Sequence, residues 1–209
     1  MSIPAEPKEQ HGPSMPLLIV VSGPSGVGKD ATWKRMQERQ TPFHFLVTNT
    51  TRPKRPNEVE GVDYHFVTEE LFNAMLDRNE FLEHALVYGY QYGNNLAEIK
   101  AALAEGKDVL LRIDVQGAET VRHKVEGAVF IFMTATLQEL EQRLRRRRTE
   151  SEEALERRLQ MAAGELLEVS KFDYVVENCE GELDAAVEDI ISIIRAEKLR
   201  THPRQIRFL

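Results

Sequence analysis

Residues 23–30 read Gly-Pro-Ser-Gly-Val-Gly-Lys-Asp, and they directly follow the apolar run Leu-Leu-Ile-Val-Val at residues 17–21. A glycine-rich turn between a buried strand and a helix can point consecutive backbone N–H groups at phosphate oxygens. Lys29 adds a positive charge for the β- and γ-phosphates, and the helix that follows adds the positive end of its dipole. The stretch therefore predicts a nucleotide phosphate-binding loop. The strand, the spacing and the helix together are far more specific than a glycine-rich turn alone.

The position after the lysine is irregular. Ser or Thr is usual there, because its hydroxyl ligates Mg²⁺, whereas this chain has Asp30. A carboxylate is also a good Mg²⁺ ligand, so Asp30 is the candidate metal residue. The residues expected to contact the nucleotide in this segment are Gly23, Pro24, Ser25, Gly26, Val27, Gly28, Lys29, Asp30 and Ala31.

Composition narrows the class of protein. The 209 residues suit one α/β domain with a small insertion, and 42% hydrophobic and 29% charged residues are ordinary for a globular protein. The net charge of −7 argues against nucleic-acid binding, and no apolar run approaches the length of a membrane span. Residues 1–14 contain three prolines and no apolar run, so we expect a flexible tail and not a signal peptide. The single cysteine, Cys179, fits a reducing cytoplasm and is expected to be a buried apolar residue.

Strand and helix patterns alternate along most of the chain. Strands are expected at residues 17–21, 43–47, 63–67, 81–88, 108–113, 128–133 and 173–176, with a turn at 89–93. Helices are expected at residues 31–39, 69–78, 95–104, 116–123, 137–146, 152–169 and 183–195. Such alternation predicts an α/β fold with a parallel sheet covered on both faces. The strand-rich stretch from about residue 43 to 92 breaks the alternation and indicates a small inserted subdomain.

With these pieces placed, the chain resembles the guanylate kinases over roughly residues 17–198. The resemblance rests on the loop and on motifs at residues 50–55, 58–64, 79–83, 91–93, 113–117, 147–151, 157–158 and 176–178. It implies a P-loop kinase core with a parallel sheet flanked by helices, an inserted GMP-binding subdomain and a helical lid. The implied domain covers residues 15–200, with the core at about 15–47 and 95–200, the subdomain at about 48–94 and the lid at about 137–160. Residues 201–209 are then a C-terminal tail.

The reaction implied by this resemblance is ATP + GMP → ADP + GDP, with Mg²⁺ accompanying ATP. Two polyanions must meet, so the chemistry needs positive charge and alignment more than a nucleophilic side chain. The resemblance gives the catalytic positions as Lys29, Arg147 and Arg158, and it places Asn178 near the adenine of ATP. The arginine run at 145–148 is longer than the family needs, and its alternatives are a solvated helix end or a nucleic-acid patch.

The GMP phosphate needs donors that clamp three oxygens. Arg52 and Arg55 lie three residues apart on a proline-stiffened segment and can supply bidentate guanidinium forks. The resemblance adds hydroxyl donors from Tyr64 and Tyr92. The alternative is a solvated basic loop beside two core tyrosines.

Guanine is distinguished from adenine by its N1–H and 2-NH₂ donors, and one carboxylate can accept from both. The resemblance assigns this role to Glu83, with help from Asp114, and places a hydroxyl near the base at Thr48. Asn94 replaces the family's Ser or Thr, although its amide could still donate to guanine O6. The alternative for Glu83 is an exposed charge on an alternating strand.

A second departure from the family pattern accompanies Asp30. Arg112 replaces an acidic residue two positions before Asp114, and residues i and i+2 of a strand share a face. We therefore hypothesise that the two changes compensate, so that Asp30 either serves the metal or pairs with Arg112.

Two other functions compete with this interpretation. A ribose 1,5-bisphosphate phosphokinase has a similar loop but would not need the guanine-reading and GMP-phosphate residues. A non-catalytic guanylate-kinase-like binding module would tend to lose Lys29 and the lid arginines, which this chain keeps. The expected partners are ATP and GMP, without nucleic acid or membrane, in a cytoplasmic monomer or homodimer.

Overall fold

The computed structural model describes residues 15–87, 89–146 and 152–209. Its strands are β1 (Leu18–Ser22), β2 (His44–Phe45), β3 (Asn49–Thr50), β4 (His65–Phe66), β5 (Phe81–Val87), β6 (Tyr90–Asn95), β7 (Val109–Arg112), β8 (Val125–Glu126), β9 (Val129–Thr134), β10 (Tyr174–Glu177) and β11 (Arg207–Phe208). Its α-helices are α1 (Lys29–Glu38), α2 (Glu69–Asp77), α3 (Leu96–Ala104), α4 (Val115–Lys124), α5 (Leu137–Arg146), α6 (Glu152–Leu166) and α7 (Leu183–Lys198).

The central sheet is parallel and has the order β10-β9-β1-β7-β2. Strand β1 is buried along its whole length, because helices cover both faces of the sheet. Alternate residues of β1 face opposite sides of the sheet. Ile19 and Val21 pack in the core beside α1 and α7, while Leu18 and Val20 pack in the core beside α3 and α4. The predicted α/β class with a parallel sheet flanked by helices is confirmed.

A separate four-stranded sheet has the order β4-β3-β6-β5 and lies within the stretch that breaks the alternation. Strand β6 pairs antiparallel with both β3 and β5, whereas β3 and β4 are parallel. Helix α2 covers this sheet by stacking Phe72 on Phe81, with ring centroids 4.6 Å apart. A Cβ at Gly93 would lie 2.9 Å from the Phe81 ring, so the sheet packs this closely only because residue 93 has no side chain.

The expected turn at residues 89–93 is wrong, since residues 90–95 form β6. Gly89 and Gly93 suggested a turn, but pairing on both edges keeps this stretch extended, and Gly89 alone has a positive φ, +82°. The expected strand at 43–47 is shorter, because the chain leaves the central sheet after Phe45 and enters the second sheet at Asn49. The long helix expected at 152–169 ends at Leu166 and continues as a 3₁₀ helix, Leu167–Lys171.

Two further expectations differ at the C-terminal end. The segment expected as a tail includes β11, which pairs antiparallel with β8, and Ile206 and Phe208 pack against the core. Cys179 is exposed, not buried, because it follows the last strand of the central sheet, where the chain leaves the core. Within the described ranges, every helix is too short or too polar to cross a membrane.

Candidate active site

One cavity of about 780 Å³ lies between the central sheet and the second sheet. It opens at the carboxyl ends of β1 and β7, the edge where parallel α/β sheets bind ligands. The predicted site residues that line it are Ser25, Lys29, Asp30, Thr48, Arg52, Arg55, Tyr64, Glu83, Tyr92, Asn94, Asp114 and Arg158. Residues that lie far apart in the chain thus line the same cleft.

The backbone of the phosphate loop passes so close to its neighbours that a side chain at two of its glycines would clash. A Cβ at Gly28 (φ +102°) would lie 2.4 Å from the Asn178 amide nitrogen, and one at Gly23 would lie 2.2 Å from the Met133 carbonyl oxygen. The Lys29 ammonium donates to the carbonyl oxygens of Gly23, at 2.5 Å, and Pro24, at 3.2 Å. Burial lowers the pKa of Lys29, and nearby carboxylates oppose that shift. The lysine is therefore held at the loop's concave side, beside the cavity.

A carboxylate that the sequence analysis missed also reaches the loop. The Ser25 backbone N–H donates to Oε2 of Glu165, at 3.0 Å, from the end of α6. Burial raises the pKa of Glu165, and the Ser25 N–H and Lys29 act against that rise. The spacing from Arg158 is a signal that could have found it: residues seven apart on a helix share a face, and both line the cavity.

Asn178 and Arg143 hold the loop from behind. The Asn178 amide donates to the Val27 carbonyl oxygen at 2.7 Å, and Arg143 donates to the carbonyl oxygens of Val27 and Asn178 at 3.1 and 2.7 Å. Asn178 is buried behind the loop and is not among the residues of the cavity wall. No local motif marks Arg143, because the carbonyl oxygens that it contacts lie far from it in the chain.

The two predicted phosphate-clamp arginines share one carboxylate, that of Glu58. Arg52 is buried and lies 2.7 Å from Glu58 Oε1, while the Arg55 backbone N–H donates to Oε2 at 2.8 Å. Burial acts to raise the pKa of Glu58, but the hydrogen bonds from Arg52 and Arg55 lower it. The Arg55 guanidinium is exposed, at 3.7 Å from the same carboxylate. The rings of Tyr64 and Tyr92 complete the cluster, with centroids 6.1 Å apart.

The predicted base-reading residues form a hydrogen-bonded chain on the second sheet. Thr48 donates to the Asn94 side-chain oxygen at 2.9 Å, and the Asn94 amide donates to Glu83 Oε1 at 2.5 Å. Glu83 and Asn94 are cross-strand neighbours on β5 and β6. Asp114 lies at the start of α4, where its carboxylate accepts from the Gly117 N–H at 2.7 Å. In this structure the Asn94 amide is therefore directed at Glu83.

Burial decides the electrostatics of this pocket. Glu83 is 2% exposed, and burial raises its pKa to about 7. Asp114 adds to the rise, whereas the Asn94 hydrogen bond and Lys124 oppose it. The alternative of an exposed Glu83 is wrong. Ionising a carboxyl group this deeply buried costs free energy, and groups with pKa values shifted in this way are concentrated at functional sites.

Two arginines bear on the remaining predictions. Arg158, on α6, lines the cavity, whereas Arg147 lies outside the described residues. Arg112 Nη1 lies 3.1 Å from Asp30 Oδ1, so the hypothesised ion pair between these two residues is confirmed. The described ranges contain no cluster of three or more His, Cys, Asp or Glu side chains that could hold a metal ion by themselves.

Comparison with known proteins bears directly on this site. A family model described as guanylate kinase matches residues 15–197. The chain belongs to the guanylate kinase family. The family's reaction is the transfer of the γ-phosphoryl group of ATP to GMP, giving ADP and GDP, and the chain is an ATP:GMP phosphotransferase of this family.

Individual relatives agree with the family assignment. "Guanylate kinase 2, chloroplastic/mitochondrial" of Oryza sativa subsp. japonica is 48% identical over 93% of this chain and 69% of its own length. "Guanylate kinase" of Aromatoleum aromaticum is 41% identical over 91% of this chain and 95% of its own. A crystal structure of guanylate kinase from Anaplasma phagocytophilum superposes with a TM-score of 0.75 at 30% identity, covering 90% of this chain and 89% of that one.

Proposed function

We propose that the cavity between the two sheets is where guanylate kinase chemistry takes place, with ATP on the phosphate loop and GMP on the second sheet. One observation carries the proposal: the Lys29 loop and the Arg52 cluster face the same cavity of about 780 Å³. Two phosphate-binding groups that share one cleft can align a donor with an acceptor. The four-stranded sheet is then the GMP-binding subdomain, and α5 and α6 belong to the lid.

In this assignment an oxygen of the GMP phosphate attacks the γ-phosphorus of ATP, and the bond to the β–γ bridging oxygen breaks. Charge is spread over the transferring group, so cations placed around it lower the barrier. Lys29 supplies one such cation from the loop and Arg158 another from α6. Arg147 is proposed for the same role on the strength of the family resemblance. Asn178 contributes indirectly, because it holds the loop through the Val27 carbonyl.

GMP is held at two places. Arg52, Arg55, Tyr64 and Tyr92 are proposed to bind its phosphate, which would take hydrogen bonds that Glu58 now accepts. Ionised Glu83 is proposed to accept from guanine N1–H and 2-NH₂, oriented by the chain that runs through Asn94 and Thr48, with Asp114 beside it. Adenine offers no such pair of donors, so a buried carboxylate would be left without partners.

Mg²⁺ fits beside the loop. Mg²⁺ in such enzymes is held by one or two carboxylates together with substrate phosphates, so the lack of a larger acidic cluster in the described ranges does not disfavour it. Asp30 is half-exposed at the first turn of α1 and is the carboxylate that would contribute. The ion would supply positive charge to the ATP phosphates, while Arg112 keeps the Asp30 carboxylate in place.

The protein is proposed to act in purine nucleotide metabolism in the cytoplasm, as a monomer or homodimer. An exposed thiol at Cys179 and a single cysteine in the chain are typical of a reducing compartment. The rice relative's name, by contrast, assigns that protein to chloroplasts and mitochondria.

A coupled assay for ADP formation tests the proposal, with GMP, AMP and ribose 1,5-bisphosphate offered separately as acceptors with Mg-ATP. We expect turnover with GMP to exceed that with AMP by orders of magnitude, and Lys29→Met to abolish it. Equal turnover of AMP would contradict the role of Glu83. Turnover of ribose bisphosphate alone would favour the competing phosphokinase, and binding without turnover would favour a non-catalytic module.

A further inference from the structure

Arg112 lies where the two sheets meet. It ends β7 and is in register with Val21 of β1, at the carboxyl edge of the central sheet. Its side chain is 7% exposed and borders the cavity. A buried guanidinium is costly unless its charge and its N–H groups find partners, so its contacts decide what it does.

On the side of the cavity proposed for ATP, the phosphoryl donor, Arg112 contacts the helix that follows the phosphate loop. Nη1 lies 3.1 Å from Asp30 Oδ1, and the guanidinium carbon lies 5.1 Å from the centroid of the Trp33 ring. Both partners belong to α1, which begins at Lys29. Arg112 is thereby attached to the element that carries the catalytic lysine.

On the side of the cavity proposed for GMP, the phosphoryl acceptor, the same guanidinium contacts the segment that leads into β4 of the second sheet. Nη2 donates to the Asp63 carbonyl oxygen at 3.1 Å, and the guanidinium carbon lies 4.9 Å from the centroid of the Tyr64 ring. The Tyr64 ring is also 5.3 Å from the guanidinium carbon of Arg52. Tyr64 therefore lies between an arginine of the core and an arginine of the phosphate clamp.

We propose that Arg112 is a positioning residue for the phosphate acceptor: it ties the Asp63–Tyr64 segment to α1 and so sets the GMP phosphate site against the phosphate loop. The inference rests on the proposed function, in which Tyr64 binds that phosphate. A guanidinium suits the task because its planar fork bonds in two directions while its faces contact rings. Misplacing an acceptor by about 1 Å can cost about a hundredfold in rate, so a tie of this kind matters to the reaction.

Arg112→Lys and Arg112→Met test the proposal. Lysine keeps the charge near Asp30 but has no second arm for the Asp63 carbonyl, whereas methionine keeps only the bulk. Arg122→Met is the matched control: its guanidinium carbon lies 4.0 Å from the Phe130 ring and 5.6 Å from the Phe172 ring, with Glu119 nearby, away from the cavity wall. GMP and ATP affinities are measured by calorimetry, alongside kcat, KM and the urea unfolding midpoint.

We expect both Arg112 variants to weaken GMP binding about tenfold, from the loss of one charge-assisted bond and one ring contact, with the affinity for magnesium-free ATP within about twofold of that of the unsubstituted protein. Arg122→Met should lower the unfolding midpoint without changing either affinity. If Arg112→Lys binds GMP normally, charge alone suffices and the positioning role is wrong. An equal loss of affinity for GMP and for magnesium-free ATP would also overturn it, and so would an unchanged GMP affinity together with an unchanged kcat.

GMP phosphorylation by the unsubstituted protein distinguishes a failure of this inference from a failure of the proposed function on which it rests. If that protein does not phosphorylate GMP, the proposed function fails. If it does, and both Arg112 variants behave like Arg122→Met, the function stands and only the inference is lost.

Discussion

Replacing Glu83 with glutamine should make the protein more stable at alkaline pH while removing its preference for GMP. Glutamine keeps the side-chain oxygen that accepts from the Asn94 amide, but it does not ionise. Burial raises the pKa of Glu83 from 4.5 to about 7, and at about 1.4 kcal/mol per pKa unit this amounts to about 3 kcal/mol. The raised pKa means that the folded protein ionises Glu83 only against this cost.

The direction in which the free energy of unfolding changes with pH follows from the pKa values of Glu83 in the unfolded and folded chains. Below pH 4.5 the carboxyl group is protonated in both folded and unfolded chains, so it imposes no penalty. Between pH 4.5 and about 7 the unfolded chain ionises first, and the stability contributed by the neutral group is progressively lost. Above about pH 7 the loss is complete. Glu83→Gln should therefore lie within about 1 kcal/mol of the unsubstituted protein at pH 5 and exceed its free energy of unfolding by up to about 3 kcal/mol at pH 8.

Urea unfolding followed by the fluorescence of Trp33, the single tryptophan, at pH 5, 6, 7 and 8 measures this difference. Glu105→Gln is the control, because Glu105 is exposed and its pKa is lowered by the hydrogen bond from Lys107. That variant should gain nothing at pH 8. A Glu83→Gln protein that is no more stable at pH 8, or that shows the same difference at every pH, would refute the electrostatic account of this pocket.

Three other outcomes follow from contacts in the structure. Since ionised Glu83 is proposed to accept from guanine, guanosine affinity should fall up to about tenfold per pH unit below pH 7, and Glu83→Gln should show no such dependence in calorimetric titrations. Glu165→Gln should lower the KM for ATP about threefold, since a neutral amide competes less well than a carboxylate for the Ser25 N–H; a raised KM would contradict this. Gly93→Ala should cost about 1–3 kcal/mol by forcing a Cβ against Phe81, whereas Gly164→Ala, in open space on α6, should stabilise by about 0.5–1 kcal/mol in thermal unfolding.

Local spacing explains which parts of the site could be predicted. The phosphate loop is defined by residues 23–30 alone, and its backbone demands are visible as glycines at the required positions. The pairing of Asp30 with Arg112 was also accessible as a hypothesis, because Arg112 and Asp114 were expected to share a strand face and to face the nucleotide cleft. The roles of Tyr64, Glu83 and Tyr92 came from the family resemblance and stay predictions, although these side chains share one cavity.

Contacts across long sequence separations could not be predicted in this way. Nothing in the local sequence shows that Glu58 accepts hydrogen bonds from both predicted phosphate-clamp arginines. Glu165 accepts from Ser25, which lies 140 residues away in the chain. Strand β6 was mistaken for a turn because Gly89, just before it, and Gly93, within it, look like turn residues when its two neighbouring strands are not known. The exposure of Cys179 likewise depends on where the chain leaves the core.

By itself, the sequence determined the class of fold, the phosphate loop and the types of side chain available for two nucleotides, since these depend on hydrophobic periodicity and short spacing. Only the tertiary structure decided that Glu83 is buried enough to hold its pKa near 7, and that Arg112 reaches both Asp30 and the Asp63 carbonyl. Burial and geometry of this kind arise when separate sheets pack together, and no single stretch of chain encodes them.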